Sequence, residues 1–459
     1  MVPLVAIAVI GVALVAWTYR LPTLAVPDQS RLALADVTVV NPGGGRAAHR
    51  TIELSHGRIV AITDGAAPEA DRRFAGMFVL PGLIDMHVHQ PPAIWTRDVR
   101  LFEILFLAHG VTTVRDAGCS DDSIWDRRRR IDRGDEPGPR IVACGRILDG
   151  DPPVWPGSLV VRTPAEARAA VDDMVDAGAD CIKVYERLDA ETLAAIRTAA
   201  AARGRPVIGH VPRAVPFEEA RLADVQHLTG APLPTSVLGP VAAGWRAVDD
   251  ARMDQIVRVS QEQGIAHTPT LVVLHRMAAL GDVPPLLDHP SAHLLPRYYR
   301  EISWRVPRDL VAGLSEVLSR MDRLVVWLHE AGVRIHAGSD TSNAFVVPGA
   351  SLHEELRLLV GAGLSPEAAW VAATRDAGAS LATPGLGTVV VDAPADLLVF
   401  RADPTRDLGN LDTLEAVIAQ GRLYSRVTLD AAVTRAREMF DGPVADALST
   451  GLVRLLARR

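Results

Sequence analysis

The stretch "TPAEARAAVDDMVDAGADCIKVYERLDAETLAAIRTAAAARGRPVIGHV", residues 163–211, alternates two helical patterns with two short apolar runs. Each helical pattern opens with a capping residue, Thr163 or Asp189, and ends near a glycine. The runs "CIKVYE" and "PVIGHV" are short and lie beside these helices, which favours buried parallel strands. The stretch therefore predicts an α/β fold built from strand–helix units.

The same alternation extends on both sides of this stretch. Eight strand-like runs occur in the order "LIDMHVH", "VTTVRD", "RIVACG", "CIKVYE", "PVIGHV", "DVQHL", "AHTPTLVV" and "RIHAGSD". Eight strands that alternate with helices predict a (β/α)8 TIM barrel, which we place at residues 81–383. In such a barrel the chemistry gathers at the C-terminal ends of the strands.

The barrel region is flanked on both sides by β-rich sequence. Residues 29–80 contain the runs "LALADVTVV" and "IELSHGRIVAI", and residues 384–427 contain "LGTVVVDAPADLLVF". We expect the two segments to join in one small β-sandwich domain built from both chain ends. Residues 428–459 predict a C-terminal tail of one or two amphipathic helices.

The first residues, "MVPLVAIAVIGVALVAW", carry no charge over 17 positions. As a helix they would span roughly 25 Å, at the short end for crossing a bilayer. The first basic side chain, Arg20, follows the apolar run, whereas a signal peptide has its basic residues before it. We therefore predict an N-terminal hydrophobic helix at residues 1–20 that acts as an uncleaved membrane anchor, with a cleaved signal segment as the alternative. The protein would be membrane-anchored or exported, with its orientation left open.

Composition narrows the class of protein. The chain of 459 residues has a net charge of −7, and a mildly acidic surface argues against nucleic acid as a partner. Its 3 cysteines, Cys119, Cys144 and Cys181, are too few for a disulfide framework and lack C-x-x-C spacing. We expect all of them to be small buried hydrophobic side chains. The expected partner is a small-molecule substrate, and a homo-oligomer stays open.

Six ionisable side chains lie at the ends of five predicted strands: His87, His89, Lys183, His210, His227 and Asp340. His87 and His89 are two residues apart, so in a strand they share a face and can hold one metal, although two structural histidines would show the same spacing. Alone, His210 or His227 is more often structural, and Asp340 is compatible with a helix N-cap. Together, imidazoles and a carboxylate at converging strand ends suit Zn²⁺ and similar ions.

Lys183 is the only lysine in the chain. Burial and nearby cations lower the pKa of a lysine, and the neutral amine can add CO₂ to become a carbamate that bridges two metals. Arginine cannot do this, because its guanidinium stays protonated. The alternative is an incidental lysine or one in a buried salt bridge, but arginine would serve an ordinary salt bridge as well.

Seven segments carry a family likeness: "LPGLIDMHVH", "GVTTVRDAG", "GADCIKVYERL", "VIGHVPR", "DVQHLTG", "HAGSDTSN" and "SLHEELRLLVGAGLSPEAAWVAATRDAGASL". In this order they resemble the amidohydrolase superfamily, and its imidazolonepropionase-like and Xaa-Pro-dipeptidase-like branch most of all. The resemblance runs from about residue 31 to residue 425. The stretch "GLGTVVVDAPADLLVFRADP" also resembles the closing β-segment of that family.

The resemblance implies a binuclear metal site, usually of zinc. The implied ligands are His87, His89 and Asp340 for one ion, His210 and His227 for the other, and a carboxylated Lys183 that bridges both. The implied cofactors are therefore two divalent metal ions and the CO₂-derived carbamate. The ions would lower the pKa of a water and polarise the scissile carbonyl. Asp340 would accept the proton and pass it to the leaving amine.

Further side chains are candidates for the substrate or for support of the ligands. Tyr185 lies two residues past Lys183, hence on the same strand face, and it could donate to the developing oxyanion or only pack. Arg213 could bind a substrate carboxylate bidentately or lie solvated at the surface. Asp85 and Asp116 are expected to orient the backbone or the ligands.

The sequence departs from the family pattern in two places. Members of the dipeptidase-like branch often carry a Gly-Gly-His stretch after strand three, but the loop here reads "GRILDGDPPVWPGS". The motif on strand six often reads Glu-His, but here Gln226 precedes His227. We expect Gln226 to face away from His227 and to have little effect on metal binding.

The sequence therefore predicts a metal-dependent hydrolase of a C–N amide bond, in a cyclic amide or a dipeptide-like substrate. One alternative is a lactonase- or phosphotriesterase-like esterase that uses the same site. Another is a non-catalytic scaffold of the same fold. The presence of every expected metal-site residue argues against the scaffold.

Overall fold

The computed structural model describes most of the chain. The described residues are 23–65, 72–92, 96–233, 241–282, 289–299, 311–442, 446–447 and 451. The predicted N-terminal hydrophobic helix at residues 1–20 lies outside them. Most of the predicted tail beyond residue 442 does so as well.

Strands in the described residues belong to three sheets. The strands are β1 (Arg31–Asn41), β2 (Gly45–Ser55), β3 (Arg58–Asp64), β4 (Phe78–Pro81), β5 (Leu83–Val88), β6 (Val111–Asp116), β7 (Arg140–Ala143), β8 (Leu148–Asp149), β9 (Leu159–Val160), β10 (Ile182–Val184), β11 (Val207–Gly209), β12 (Asp224–Gln226), β13 (Ala266–Thr268), β14 (Leu397–Phe400), β15 (Leu414–Ala419) and β16 (Arg422–Ser425).

Helices follow many of these strands. They are α1 (Thr96–Ala108), α2 (Ser123–Arg133), α3 (Pro164–Ala177), α4 (Ala190–Ala202), α5 (Phe217–Ala220), α6 (Val241–Arg246), α7 (Asp250–Gln263), α8 (Leu271–Ala278), α9 (Leu318–Glu330), α10 (Ala350–Ala362), α11 (Pro366–Ala372), α12 (Arg375–Ala379) and α13 (Arg426–Asp441). Side-chain caps explain several starts. Thr163 accepts a hydrogen bond from the backbone of Glu166 to begin α3, and Asp189 accepts one from Thr192 to begin α4.

One sheet combines strands from both parts of the chain that flank the barrel region. Its seven strands run in the order β16-β15-β14-β4-β1-β2-β3. The strand β4 pairs in parallel with β1 on one side and antiparallel with β14 on the other. Because β4 joins the two groups of strands through hydrogen bonds, they form a single sheet rather than the two packed sheets of the predicted sandwich.

The strands between these flanks are all parallel, and they alternate with helices. They form a three-stranded sheet, β5-β6-β7, and a six-stranded sheet, β13-β12-β11-β10-β8-β9. Every residue of β5 and β6 is buried, as expected for parallel strands covered on both faces. This is a TIM-barrel-type α/β architecture.

The predicted eighth strand, "RIHAGSD", forms isolated bridges instead of a ladder. Ile335 bridges His267 of β13, and Thr341, the residue directly after this run, bridges Val88 of β5. The left-handed φ of 58° at Asp340 interrupts the extended geometry that a ladder needs. Within the described residues, no continuous ladder therefore closes the parallel strands into a ring.

A disulfide joins Cys144, directly after β7, to Cys181, directly before β10. Both residues are buried, and their Cα atoms are 4.4 Å apart. The prediction of unpaired hydrophobic side chains is therefore wrong for these two cysteines, whereas Cys119 is free and buried. The two cysteines are 37 positions apart in the sequence, and only the fold brings the end of β7 next to the start of β10, so sequence spacing did not reveal the pair. The bond therefore links the three-stranded parallel sheet, which contains β7, to the six-stranded parallel sheet, which contains β10.

The membrane prediction requires correction. None of the helices in the described residues is long and apolar enough to cross a bilayer. A span needs about 20 apolar residues, whereas α13, the longest helix described, has 16 residues and several charged side chains. The predicted transmembrane anchor and the membrane-bound localisation are therefore withdrawn. The segment at residues 1–20, on which that prediction rested, lies outside the described part of the chain.

We predict that the disulfide contributes to stability. Replacement of both Cys144 and Cys181 by alanine should lower the free energy of unfolding by about 3–4 kcal/mol, because the bond closes a loop of intermediate length in the unfolded chain. Urea denaturation of the full chain without reductant measures the change. Cys119→Ala is the control and should cost less. A double variant that unfolds at the urea concentration of the wild type would contradict the prediction.

Candidate metal centre

His87 and His89 meet Asp340 at the C-terminal end of β5. The Nε2 atoms of the two histidines are 3.2 Å apart, and each lies 3.3 Å from Oδ1 of Asp340. His87 lies inside the strand and His89 directly follows it, so the two-residue spacing brings both rings to one face. The backbone N–H of Asp340 donates to the carbonyl of His87 at 2.7 Å, which fixes the carboxylate beside the rings.

His227 and His210 extend this group across the neighbouring strands. Nε2 of His227 lies 3.7 Å from Oδ2 of Asp340. One ligand atom each from His87, His227 and Asp340 lies within 4.8 Å of the others. The ring centroids of His210 and His227 are also 4.8 Å apart. The structure thus brings the five histidine and aspartate candidates into one cluster.

Hydrogen bonds to the far side of two rings set the direction in which their lone pairs point. Nδ1 of His89 lies 2.7 Å from the carbonyl oxygen of Gly118, which can only accept. Nδ1 of His227 lies 2.5 Å from Oγ1 of Thr270, whose hydroxyl donates to the carbonyl of Pro269 and so accepts from the ring. In its neutral form each of these rings therefore carries the proton on Nδ1, and its Nε2 lone pair faces the cluster.

Glu186 performs the same task for His210. Its Oε1 lies 3.2 Å from Nδ1 of His210, and its other oxygen forms an ion pair with the Arg213 guanidinium. Burial would raise the pKa of Glu186, but His210 and Arg213 outweigh it and hold the pKa at about 2. The carboxylate is therefore ionised, accepts the Nδ1 proton, and leaves Nε2 of His210 available to a ligand.

Burial favours the neutral form of three of the four histidines. Burial lowers the pKa of His210 to about 4 and that of His227 to about 3, and it lowers the pKa of His87 well below its usual value. For His89, burial also acts to lower the pKa, but the nearby Asp340 carboxylate outweighs it and raises the pKa. Neutral imidazole is the form that binds a metal.

Lys183 lies fully buried on β10 beside this cluster. Burial lowers its pKa to about 7, with Asp340 opposing the change and Arg115 adding to it. A large fraction of the amine is therefore neutral near pH 7, as addition of CO₂ requires. Gly209 makes room for this side chain, because a Cβ at its φ of +136° would lie 3.1 Å from Cδ of Lys183 and would collide with the Val184 carbonyl.

Gln226 contradicts the expected orientation. Its Oε1 accepts a hydrogen bond from Nζ of Lys183, so its side chain points into the site instead of away from it. The reason is local: His227 and Leu228 have left-handed φ values of 56° and 54°, so the alternation of strand faces ends at Gln226. Nε2 of Gln226 is buried and has no hydrogen-bond partner among the described residues.

Tyr185 and Arg213, the predicted substrate contacts, both line a large cavity that opens onto the cluster. The cavity has a volume of about 1030 Å³, and His210, His227 and Asp340 also line it. The Tyr185 ring centroid lies 4.1 Å from that of His210 and 5.7 Å from Nζ of Lys183. Arg213 is at the cavity wall, where it is paired with Glu186.

Asp85 and Asp116 hold backbone around the first histidines. Asp85 accepts hydrogen bonds from the backbone of Ser339 at 2.8 Å and of His87 at 3.2 Å. Asp116 accepts from the backbone of Gln90 at 2.8 Å and of Gly118 at 3.0 Å. Each of these side chains thus fixes a loop that carries a candidate ligand or the hydrogen-bond partner of one.

These residues fit a divalent cation. Burial would raise the pKa of Asp340, but His227 and His89 outweigh it and lower the pKa, so the side chain is a carboxylate. Its buried Oδ1 accepts no hydrogen bond from the described residues, and two Nε2 atoms face it. A cation between these three atoms would satisfy all of them, and imidazole nitrogen with carboxylate oxygen is the donor set that zinc prefers.

Sequence reasoning missed Glu186 and Thr270, which orient two of the histidines. Glu186 lies three residues after Lys183, so strand alternation would place it on the opposite face. However, β10 ends at Val184, and beyond that point the alternation no longer applies. Thr270 has a left-handed φ of 49° in the turn between β13 and α8, within a run that the sequence reads as one strand.

Comparison with known proteins identifies the family. The sequence profile of the amidohydrolase family matches residues 78–424, well over half of the chain. The chain belongs to the amidohydrolase family. The predicted membership is confirmed, and so is the prediction of a hydrolase that acts on carbon–nitrogen bonds.

Individual relatives span most of this amidohydrolase. An uncharacterised protein of Mycobacterium tuberculosis is 27% identical over 377 residues, which cover 77% of this chain and 87% of that protein. The solved structure of bottromycin amidohydrolase superposes with a TM-score of 0.71 at 24% identity and covers 93% of each chain. A candidate prolidase from Bifidobacterium longum superposes with a TM-score of 0.66 at 26% identity, over 89% of this chain and all of that one (100%). The dipeptidase-like branch of the family is thus also confirmed.

We predict that Glu186 supports metal binding through His210. Glu186→Gln should weaken zinc affinity by about 10- to 100-fold, the usual effect of losing a carboxylate behind a ligating histidine. Competition with a chromophoric chelator measures the affinity. Arg213→Gln is the matched control, because it breaks the same ion pair and leaves the carboxylate beside His210. Equal losses in the two variants would place the effect in the ion pair and not in the histidine.

Proposed function

We propose that this amidohydrolase holds two divalent cations, zinc by its donor set, and hydrolyses the C–N bond of an amide. The proposed ligands are His87, His89 and Asp340 for one cation, His210 and His227 for the other, and carboxylated Lys183 for both. The observation that carries the proposal is the convergence of two Nε2 atoms and one carboxylate oxygen within 3.2–3.3 Å of one another, beside a buried lysine. When bound, such cations polarise a carbonyl and lower the pKa of a water.

The proposal includes the covalent step on Lys183. The neutral amine forms an N–C bond to CO₂ and releases one proton, which gives an anionic carbamate with two oxygens. The product compensates for the positive charge of the cations, whereas an ammonium would repel them. Burial lowers the pKa of this amine to about 7, which favours the neutral form that the step needs.

Asp340 has the position of the proton acceptor in this proposal. It lies between the histidines of both proposed ion sites, and it lines the cavity where substrate would enter. Its ionised state makes it a base for the attacking water, and the protonated form could then pass the proton to the leaving amine. Tyr185, on the same cavity wall, is the proposed donor to the oxyanion that forms at the carbonyl.

Gln226 complements a carbamate better than glutamate would. The nitrogen of a carboxylated Lys183 keeps one N–H, which Oε1 of Gln226 can still accept. Nε2 of Gln226 lacks a partner in the described structure and could donate to a carbamate oxygen. A glutamate at this position would place a second anion against the carbamate and repel it.

The remaining parts of the proposal concern architecture and specificity. We propose that residues 81–383 form one (β/α)8-type barrel domain, residues 29–80 and 384–427 a small β-domain, and residues 428–459 a helical tail. Arg213 is a proposed contact for a substrate carboxylate, and its ion pair with Glu186 would couple that contact to His210.

We predict that Lys183 carries the carbamate. The full chain, supplied with zinc and ¹³C-labelled bicarbonate, should bind two metals and show one carbamate carbon resonance by NMR. Lys183→Arg keeps the charge but cannot be carboxylated, so it should lose the resonance and at least one metal. Because the chain has no other lysine, the signal has no second side-chain origin. Two metals in the variant would refute the bridge.

A substrate screen of the metal-loaded chain tests the reaction. Cyclic amides and dipeptides should be hydrolysed faster than lactones and phosphotriesters. Preference for the latter would make the chain an esterase on the same site. Loaded metals without hydrolysis of any of these compounds would favour a scaffold.

We predict that substitutions of Gln226 reduce carboxylation in a fixed order. Gln226→Met removes the hydrogen bonds to Lys183, and Gln226→Glu adds charge repulsion. The carbamate resonance at a limiting bicarbonate concentration should therefore decrease from wild type to the Met variant and further to the Glu variant. A Glu variant that carboxylates as readily as wild type would show that the amide has no such role.

A further inference from the structure

The cavity beside the metal centre has mainly apolar walls. Besides the site residues, it is lined by large hydrophobic side chains such as Leu228, Trp245, Leu274, Met277 and Leu314. They come from the segments after β12 and β13 and from the 3-10 helix Leu314–Glu316. The cavity is thus formed on the side of His210 and His227.

The mouth of this cavity is also apolar. Among the described residues, the exposed large hydrophobics number eight, and three of them line this cavity. Val154, Leu233 and Val241 line the cavity and are 38%, 62% and 39% exposed, and Trp155, next to Val154, is 54% exposed. Such a concentration at one opening marks a surface that binds something apolar.

The size of the cavity argues against a small substrate. Ligand pockets of about 300–1,000 Å³ hold drug-sized molecules, and this one reaches about 1030 Å³. A small dipeptide or a simple cyclic amide would fill only the polar end of the cavity at Asp340. Most of the hydrophobic wall would then stay exposed to water. Burial of that wall by a substrate would supply binding free energy, at about 25 cal/mol per Å² of apolar surface buried.

We infer that the substrate is an amide with one extended, uncharged, apolar group attached to the scissile bond. The amide would bind at the polar end of the cavity, near Asp340. The apolar group would lie along the hydrophobic wall and extend through the opening of the cavity. This inference rests on the proposed function, since it names the substrate class of the same site. The apolar group could belong to the acyl side or to the amine side, and the test separates the two.

The test uses two homologous series with the metal-loaded full chain. The acyl series consists of the p-nitroanilides of acetic, butyric, hexanoic and octanoic acids. The amine series consists of N-methyl-, N-butyl- and N-octylacetamide, with acetate release as the readout. In one series kcat/KM should rise by up to about fourfold per methylene, the factor that about 0.8 kcal/mol per buried CH₂ corresponds to. Equal kcat/KM along both series, or faster hydrolysis of dipeptides, would overturn the inference.

A pair of surface variants links the effect to this cavity. Leu233→Glu places a charge at the mouth and should flatten the rise of kcat/KM with chain length. Val427→Glu makes the same kind of change on α13, at a side chain that is 79% exposed and does not line the cavity, and should keep the rise. A rise that survives Leu233→Glu would place the apolar group elsewhere and overturn the inference.

Binding measurements separate this inference from the proposed function. Calorimetry compares acetamide with octanamide, which extends the acyl side, and with N-octylacetamide, which extends the amine side, and it reports affinity even if nothing is hydrolysed. Tighter binding of either octyl compound without hydrolysis of any amide would support the apolar site and refute the proposed reaction. Hydrolysis of amides with equal affinity for all three ligands would support the reaction and refute the apolar site.

Discussion

The position of Asp340 depends on backbone hydrogen bonds that tie the end of the parallel strands to their beginning. The Asp340 N–H donates to the carbonyl of His87 at 2.7 Å, and the His89 N–H donates to that of Thr341 at 2.5 Å. These bonds replace a strand ladder at this place and bring one carboxylate oxygen to 3.3 Å from both rings. Every proposed role of the cluster requires this contact, because it joins ligands that are about 250 residues apart in the chain.

A buried ion pair near the cluster shows how arginine and lysine differ in the roles that they can fill in this protein. Nη2 of Arg115 lies 2.5 Å from Oδ2 of Asp224, and Nδ1 of His336 lies 3.0 Å from the same oxygen. Burial would raise the pKa of Asp224, but Arg115 and His336 outweigh it and lower the pKa strongly. Arginine therefore serves where the charge must be permanent. Lysine occurs at Lys183, where the charge can be lost.

Strand periodicity explains which parts of the site the sequence could predict. His87 and His89 obey the alternation of β5, so their common face follows from spacing alone. The alternation fails at Gln226, because His227 leaves the strand with a φ of 56°, and it fails at Glu186, which lies past the end of β10. The disulfide and the single seven-stranded sheet depend on which strands are neighbours, and spacing along the chain carries no such information. Parallel strands that alternate with helices were predictable, because that pattern is local.

The central position of β4 in the seven-stranded sheet couples that sheet to the chemistry. Only Gly82 separates β4 from β5, the strand that carries His87. The partners of β4 are β1 on one side and β14 on the other, more than 300 residues apart in the chain. The barrel region is consequently not a module that can be excised on its own: removing the strands on either flank exposes an edge of β4, which leads directly into the strand that carries the proposed ligand His87.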